Sequence, residues 1–426
     1  MGVELISVEG TKVKMEVTIE LSRSMLSSEE NIQKSLNEAG CIATVAALKY
    51  LDTDGSAIES AGSVMRTKGE QPKAYQTPYG EVVVQRHVYQ RSGGGKTYCP
   101  LEREARIIIT STPLFAKQVS SKLAYGPARD VQRDLGENHR RSVAVSYIQR
   151  VSEAVASIIE AKEESWNYAP PKLDVEIASV AIGLDGTCML LCDTRWQEAM
   201  VGTISLYDAL GERQHTIYIG ATPEYGKAIF LERLEREIQR TKAHYPQATY
   251  IGIADGAVSN WQFLTPHTSE QVLDFYHASG YLGAVAVALY PDSLTQQQQW
   301  LDQSCHRLKH ENGAATQLYQ QMLELSQSRK HSKSIQDNLA AAVTYFHNHH
   351  SQMNYAFYRD QHYPIGSGVT EAARKTVIKQ RLCCSGMRWK EAGAAVVLSL
   401  RTLALTSNRW NQFWNKLNQY GFPIAA

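Results

Sequence analysis

VEIASVAIGLDG, residues 175–186, runs through β-branched and small residues and stops at an acid and a glycine. It reads as a buried strand. MVGTISLYDA (200–209) and RQHTIYIG (213–220) read the same way. EYGKAIFLERLEREIQRTKAHY (224–245) changes period: Phe230, Leu231, Leu234 and Ile238 share one helical face. ATYIGIADGA (248–257) is a fourth strand, and EQVLDFYH (270–277) a fifth, followed by helix through Leu289. This order predicts an α/β fold with a mixed sheet, an antiparallel meander first and then two strands joined by helical crossovers.

Working outward, residues 171–292 form the first part of this core, behind a linker whose Pro170 and Pro171 cannot sit within a helix. Residues 293–360 are polar and helical, an insertion without strand signal. Residues 361–426 return to helix after a PIGSG turn and complete the core. On the N-terminal side, 1–70 is expected to be helical, with Ser27 or Ser28 capping a helix that Gly40 divides. Residues 71–110 carry a Tyr-rich antiparallel hairpin region. Residues 111–170 hold ARDVQRDLG (128–136) and a longer helix after it, a helix-turn-helix pattern with its turn near Gly136. Arg140, Arg141 and Arg150 would meet a DNA backbone there, beside His139; the plainer reading is a helical hairpin with a solvated basic rim.

The composition bounds the function. The 426 residues are 43% hydrophobic with a net charge of +1, so any nucleic-acid contact has to be a local patch. Seven scattered cysteines and no secretory leader fit a reducing cytosol. Cys188 and Cys192 lack a second pair at zinc-site spacing. No apolar run reaches 18 residues, and no membrane span is expected.

Two acids follow apolar strands and precede glycine, Asp185 in GLDGT and Asp255 in GIADGA. Acids at strand ends sit where α/β sheets bind ligands, although Asp-Gly is also an ordinary turn. A third acid stands alone in GSGVTEAARKTVIKQRL (366–382). Between Gly366 and Lys390, Glu371 faces six cations: Arg374, Lys375, Lys379, Arg381, Arg388 and Lys390. Three carboxylates of this kind can hold a pair of Mg2+ ions, with Mn2+ as a substitute, while the cations neutralise a bound phosphate strand. The competing reading of Glu371 is a helix-capping acid on a solvated basic face. Asp274 and His277 form a D-x-x-H that either supports a metal ligand or caps a helix. Trp389 either stacks on a base or packs in a core. Asp193 and Asp208 are further carboxylates near strand ends.

GLDGT (183–187), GIADGA (252–257), LDFYHASGYL (273–282), GSGVTEAARKTVIKQRL and GMRWKEAGA (386–394) together resemble the DDE transposases of bacterial insertion sequences, in particular the Kra-type family, a relative of the Mutator-like transposases. The resemblance covers residues 70–420. It implies an RNase H-like catalytic core interrupted by a helical insertion, with Asp185, Asp255 and Glu371 as catalytic metal ligands and Asp274/His277 matching an accessory motif. It implies Mg2+-dependent cleavage at transposon ends and transfer of the freed 3'-hydroxyl to target DNA. It also implies end recognition by the N-terminal region, a homo-oligomer on two double-stranded DNA ends, and a nucleoid-associated bacterial cytoplasmic protein. The alternatives are a structure-selective nuclease or resolvase with the same acids, and a transposase-derived DNA-binding protein that has lost catalysis. A paired-carboxylate glycosidase fits less well, because it leaves the basic helix after Glu371 unexplained.

Overall fold

In a computed structural model the described residues are 2–60, 62–224, 227–327 and 332–422. Residues 225, 226 and 328–331 of the expected helical stretches lie outside them. The chain divides into two units.

The first unit takes in the chain through Tyr168, together with Ser399–Ala404 and the residues from Arg409 onward. It is not helical at its start. β1 (Gly2–Glu9) and β2 (Lys12–Thr18) form an antiparallel hairpin. Next comes α1 (Met25–Tyr50), whose N-cap Ser24 accepts from Ser27 N. Gly40 does not divide α1; a Cβ there would collide with the Tyr79 ring, so the glycine lets that ring lie against the helix. β3 (Ile58–Ser60), β4 (Ser63–Gln76) and β5 (Glu81–Arg91) make an antiparallel sheet in that order. Tyr75, Val82, Val84, Leu101 and Ile107 form its core.

Four helices follow: α2 (Pro100–Glu104), α3 (Pro113–Tyr125), α4 (Ala128–His139) and α5 (Val145–Lys162). The expected turn at Gly136 is displaced. α4 runs through it to His139 and ends at Arg140, whose φ of 53° is left-handed. The C-terminal residues are built into this unit by specific contacts. Arg401 Nη1 donates to Ala124 O, Lys117 Nζ to Asn411 Oδ1 at 3.0 Å, and Trp166 packs on Phe413 with ring centroids 5.7 Å apart.

Arg141 corrects the basic-rim reading. It is only 6% exposed, its Nε donates to Thr77 O at 2.9 Å, its Nη2 to Gln76 Oε1, and its guanidinium lies 5.2 Å from the centre of the Phe115 ring. That cation holds β4 to the helices and is not available to DNA, whereas Arg140 and Arg150 are exposed. Arg141→Ala is therefore expected to lower stability by about 2 kcal/mol, because it strands buried acceptors. Any DNA binding should keep its salt dependence. Thermal melts and a binding series in salt check both statements.

The second unit spans Ala169–Leu398 and Leu405–Asn408. β6 (Ser179–Leu191), β7 (Arg195–Tyr207) and β8 (Arg213–Ala221) form the expected antiparallel meander. α6 (Ala228–His244) crosses to β9 (Thr249–Ala254), parallel to β6. α7 (Val258–Leu264) and a 3-10 turn lead to β10 (Glu270–Leu273), parallel to β9. The sheet order is β10-β9-β6-β7-β8, an open mixed sheet of five strands. Phe230, Leu234 and Ile238 of α6 and Leu282 and Val285 of α8 (Phe275–Leu289) pack into the same core as Val180, Ile182, Ile204 and Ile251.

The tract after α8 folds as helices α9 (Leu294–His310), α10 (Ala314–Ser326), α11 (Lys333–His349) and α12 (Tyr355–Asp360). α13 (Gly368–Ala373) continues as a π-helical segment, Arg374–Lys379, and α14 (Gln380–Leu382). α15 (Glu391–Leu405) contributes to both units, and α16 (Arg409–Tyr420) belongs to the first. Residues 361–426 therefore do not all complete the sheet domain. Among the described residues no helix is long and apolar enough to cross a membrane.

Candidate metal centre

β6 and β9 pair only from Ser179↔Thr249 to Gly183↔Ile253. Beyond that point the two strands part. Asp185 lies just past the last pair, in mid-strand and not at a strand end, because β6 continues with β7 as far as Leu191↔Arg195. Asp255 is the first residue after β9. The two acids therefore flank the crevice between the carboxyl ends of two parallel strands, the position that α/β sheets use for ligands.

The Glu371 helix is seated here by two features of the sequence. A Cβ at Gly183 would overlap Thr370 Oγ1, so the glycine lets α13 lie against the strand. Thr370 Oγ1 then meets Thr203 Oγ1 on β7 at 2.7 Å, a buried hydroxyl pair. Ala373, Val377, Ile378 and Leu382 pack on Met189, Leu191, Ala199 and Val201. The π-helical turn begins one residue after Ala373, and segments of this kind frequently mark functional sites.

Burial raises the pKa of Asp185; Arg374 pulls it down, while the negative charges of Asp255 and Glu371 push it further up. Asp255 and Glu371, far from it in sequence, thus lie close enough to Asp185 to act on its charge. Arg374 Nη1 stands 3.0 Å from Asp185 Oδ2, and Gly186 N donates to Oδ1 at 2.7 Å. Asp255 Oδ1 accepts from Ala257 N at 3.1 Å and Asn260 Nδ2 at 3.3 Å.

Asp274, His277 and Glu371 have ligand atoms all within 4.8 Å of one another, and among the described residues Asp185 and Asp255 do not join such a group. The trio is a candidate three-residue site for a divalent cation. Asp274 has another duty as well. It is fully buried and caps α8, with Oδ1 accepting from Tyr276 N at 2.7 Å. Its Oδ2 accepts from Ser367 N at 3.1 Å and from the Ser367 hydroxyl, and its own N–H donates to Ala254 O at 2.8 Å. One residue thus ties the end of β9 to the turn that starts the Glu371 helix. Oδ1, with one hydrogen bond made, retains a lone pair for a cation. The carboxylates of the whole group are hard oxygen donors of the kind Mg2+ takes, and a cation would relieve their mutual repulsion. The His277 imidazole shifts the preference toward transition ions such as Mn2+ or Zn2+.

The basic residues divide. Lys375, Lys379, Arg388 and Lys390 are exposed. Arg374 is spent on Asp185 in this state. Arg381 is 3% exposed and lies 5.1 Å from the Trp389 ring centre, so it is an internal cation and not a phosphate contact. Trp389 Nε1 donates to Leu382 O at 2.9 Å, and the ring packs beside the Met189/Val377 cluster. The ring is half-buried, so it has a packing role in the fold. Asp208 is a turn anchor that accepts from Leu210 N, Glu212 N and Gln214 Nε2. Asp193 sits in the exposed turn between β6 and β7. Thr370, Ser367 and Asn260 carried no sequence signal, since each acts through a contact made only in the folded chain.

Compared with protein-family models and with curated proteins, the sequence matches none.

Proposed function

We propose that this protein is a DDE-type transposase that cleaves DNA at the ends of an insertion sequence and joins the freed strand to target DNA. The observation that carries the reading is geometric: Asp185 and Asp255 lie just past the point where β6 and β9 part, and the helix that carries Glu371 is seated on β6 and β7 through Thr370. The strand order, with one antiparallel meander and two parallel additions, supports an RNase H-like core, and α9–α12 occupy the place of the helical insertion.

In this reading Asp185, Asp255 and Glu371 hold two Mg2+ ions, with Asp274 and His277 as accessory groups. Bound there, the ions would activate the attacking hydroxyl and stabilise the leaving oxygen of an in-line displacement. The protein's own part is to bring carboxylates to the crevice, and Lys375 and Lys379, exposed on the helical run after Glu371, would meet the phosphates. Arg374 neutralises Asp185 until a phosphate strand offers it another partner.

The test first searches the DNA flanking the gene for short inverted repeats, and then supplies labelled duplex carrying them, a target plasmid and Mg2+. Joined products are the expected outcome. Cleavage without joining would replace this reading by that of a nuclease on the same core. Binding without either reaction would leave a DNA-binding protein.

A further inference from the structure

The helical insertion reaches the crevice through one hydroxyl. Tyr345 on α11 donates to the main-chain oxygen of Asp255 at 2.8 Å. The Tyr281 ring from α8 is stacked on it, with centroids 4.0 Å apart and planes 20° from parallel. The next residue, Gly256, has φ of +105°, and a Cβ there would stand 3.0 Å from His349 Nε2 and 3.2 Å from Tyr345 Cε2. The Asp255–Gly256 turn is therefore moulded against two residues of α11. On its other side the Asp255 carboxylate is held by Ala257 N and by Asn260 of α7.

We infer that Tyr345 is a positioning residue that sets the direction of the Asp255 carboxylate, and that the insertion's contribution to the reaction passes through it. Asp255 leaves the sheet at Ala254, so no ladder bond fixes its carbonyl. Gly256 can adopt conformations closed to other residues. Without an external anchor the turn would sample several directions, whereas a metal ligand has to be held within about 0.5 Å of its working position. The Tyr345 hydroxyl supplies that anchor, and the Tyr281 stack fixes the hydroxyl.

The inference rests on Asp255 being a ligand, and the experiment separates the two ideas. The full chain and its Tyr345→Phe and Asp255→Ala variants are titrated with Mn2+ alone and followed by electron paramagnetic resonance. Amide hydrogen exchange and melting are measured in parallel. Tyr345→Phe keeps the ring and its stack and removes only the hydroxyl. Mn2+ binding is expected to weaken about tenfold in Tyr345→Phe, the loss typical when a ligand's supporting partner is removed. Amide exchange should speed up at Ala257 but not along β6, and Tm should fall by no more than about 4 °C. Asp255→Ala is expected to bind Mn2+ more weakly than Tyr345→Phe. Unchanged Mn2+ affinity in Tyr345→Phe beside a clear loss in Asp255→Ala overturns the positioning role and spares the ligand. Unchanged affinity in Asp255→Ala overturns the ligand itself. A Tyr345→Phe protein that loses protection throughout the sheet overturns the positioning role too, because the hydroxyl would then be holding the fold.

Discussion

If the proposed reading holds, Asp185→Asn, Asp255→Asn and Glu371→Gln each lower DNA cleavage by about 10³-fold or more without loss of DNA binding. The scale is that of deleting one preorganised charge from a reaction centre. The amides keep the shape of each side chain and remove the negative charge that a cation needs. Asp185→Asn is the most informative of the three. Its amide oxygen still accepts from Arg374, so the variant does not strand a half-buried guanidinium whose Nε already lacks a partner. Asp185 titrates above its ordinary 3.8 in the folded protein. The folded state therefore binds this proton more tightly than the unfolded one. The stabilisation it brings is complete below pH 3.8 and disappears as pH rises through the folded value. Asp185→Asn removes that slope and should leave neutral-pH stability equal or higher. Wild-type cleavage by any one variant removes that residue from the catalytic set.

Asp274→Ala is expected to cost about 3 kcal/mol and to lower Tm by roughly 6–12 °C. The carboxylate is fully buried and accepts from Tyr276 N, Ser367 N and the Ser367 hydroxyl. Alanine leaves three part-buried donors unmatched and uncaps α8. Asp274→Asn separates the two duties of this residue. An amide retains one acceptor oxygen, so about half of the stability loss should return. If the charge of Asp274 also holds a cation, Mn2+ affinity stays low in the asparagine variant after the fold has recovered. Calorimetry with and without Mn2+ reads both. A melt unchanged in Asp274→Ala would refute the clamp between β9 and the Glu371 helix.

Much of the second unit was legible because buried parallel and antiparallel strands write their period directly into the chain. Val180, Ile182, Ile204, Ile217 and Ile251 mark four strands, and Phe230, Leu234 and Ile238 mark the crossover helix. Boundaries failed where a side chain, not the hydrophobic period, decides them. The fifth strand was expected to reach His277 but stops at Leu273, because the Asp274 carboxylate caps a helix instead. β6 was expected to end at Gly186 but runs to Leu191, because β7 goes on pairing after β9 has left. The N-terminal hairpin was missed because Gly2–Thr18 mixes charges among its apolar positions. Single arginines could not be sorted into surface and interior: Arg140 and Arg141 are neighbours, one exposed and one buried. At the site, the acids were visible as motifs, but Thr370, Ser367 and Tyr345 are ordinary residues whose importance comes from what they touch.

The interleaving of the chain has a practical consequence. Arg401, Asn411 and Phe413 are partners of Ala124, Lys117 and Trp166. A fragment cut after Tyr168 would lack all three and leave Trp166 without its aromatic neighbour. The first unit cannot be excised with one snip. To study it alone, the last thirty or so residues have to be stitched back on through a short tether, and a truncation that skips this step would mistake a frayed fold for a loss of function.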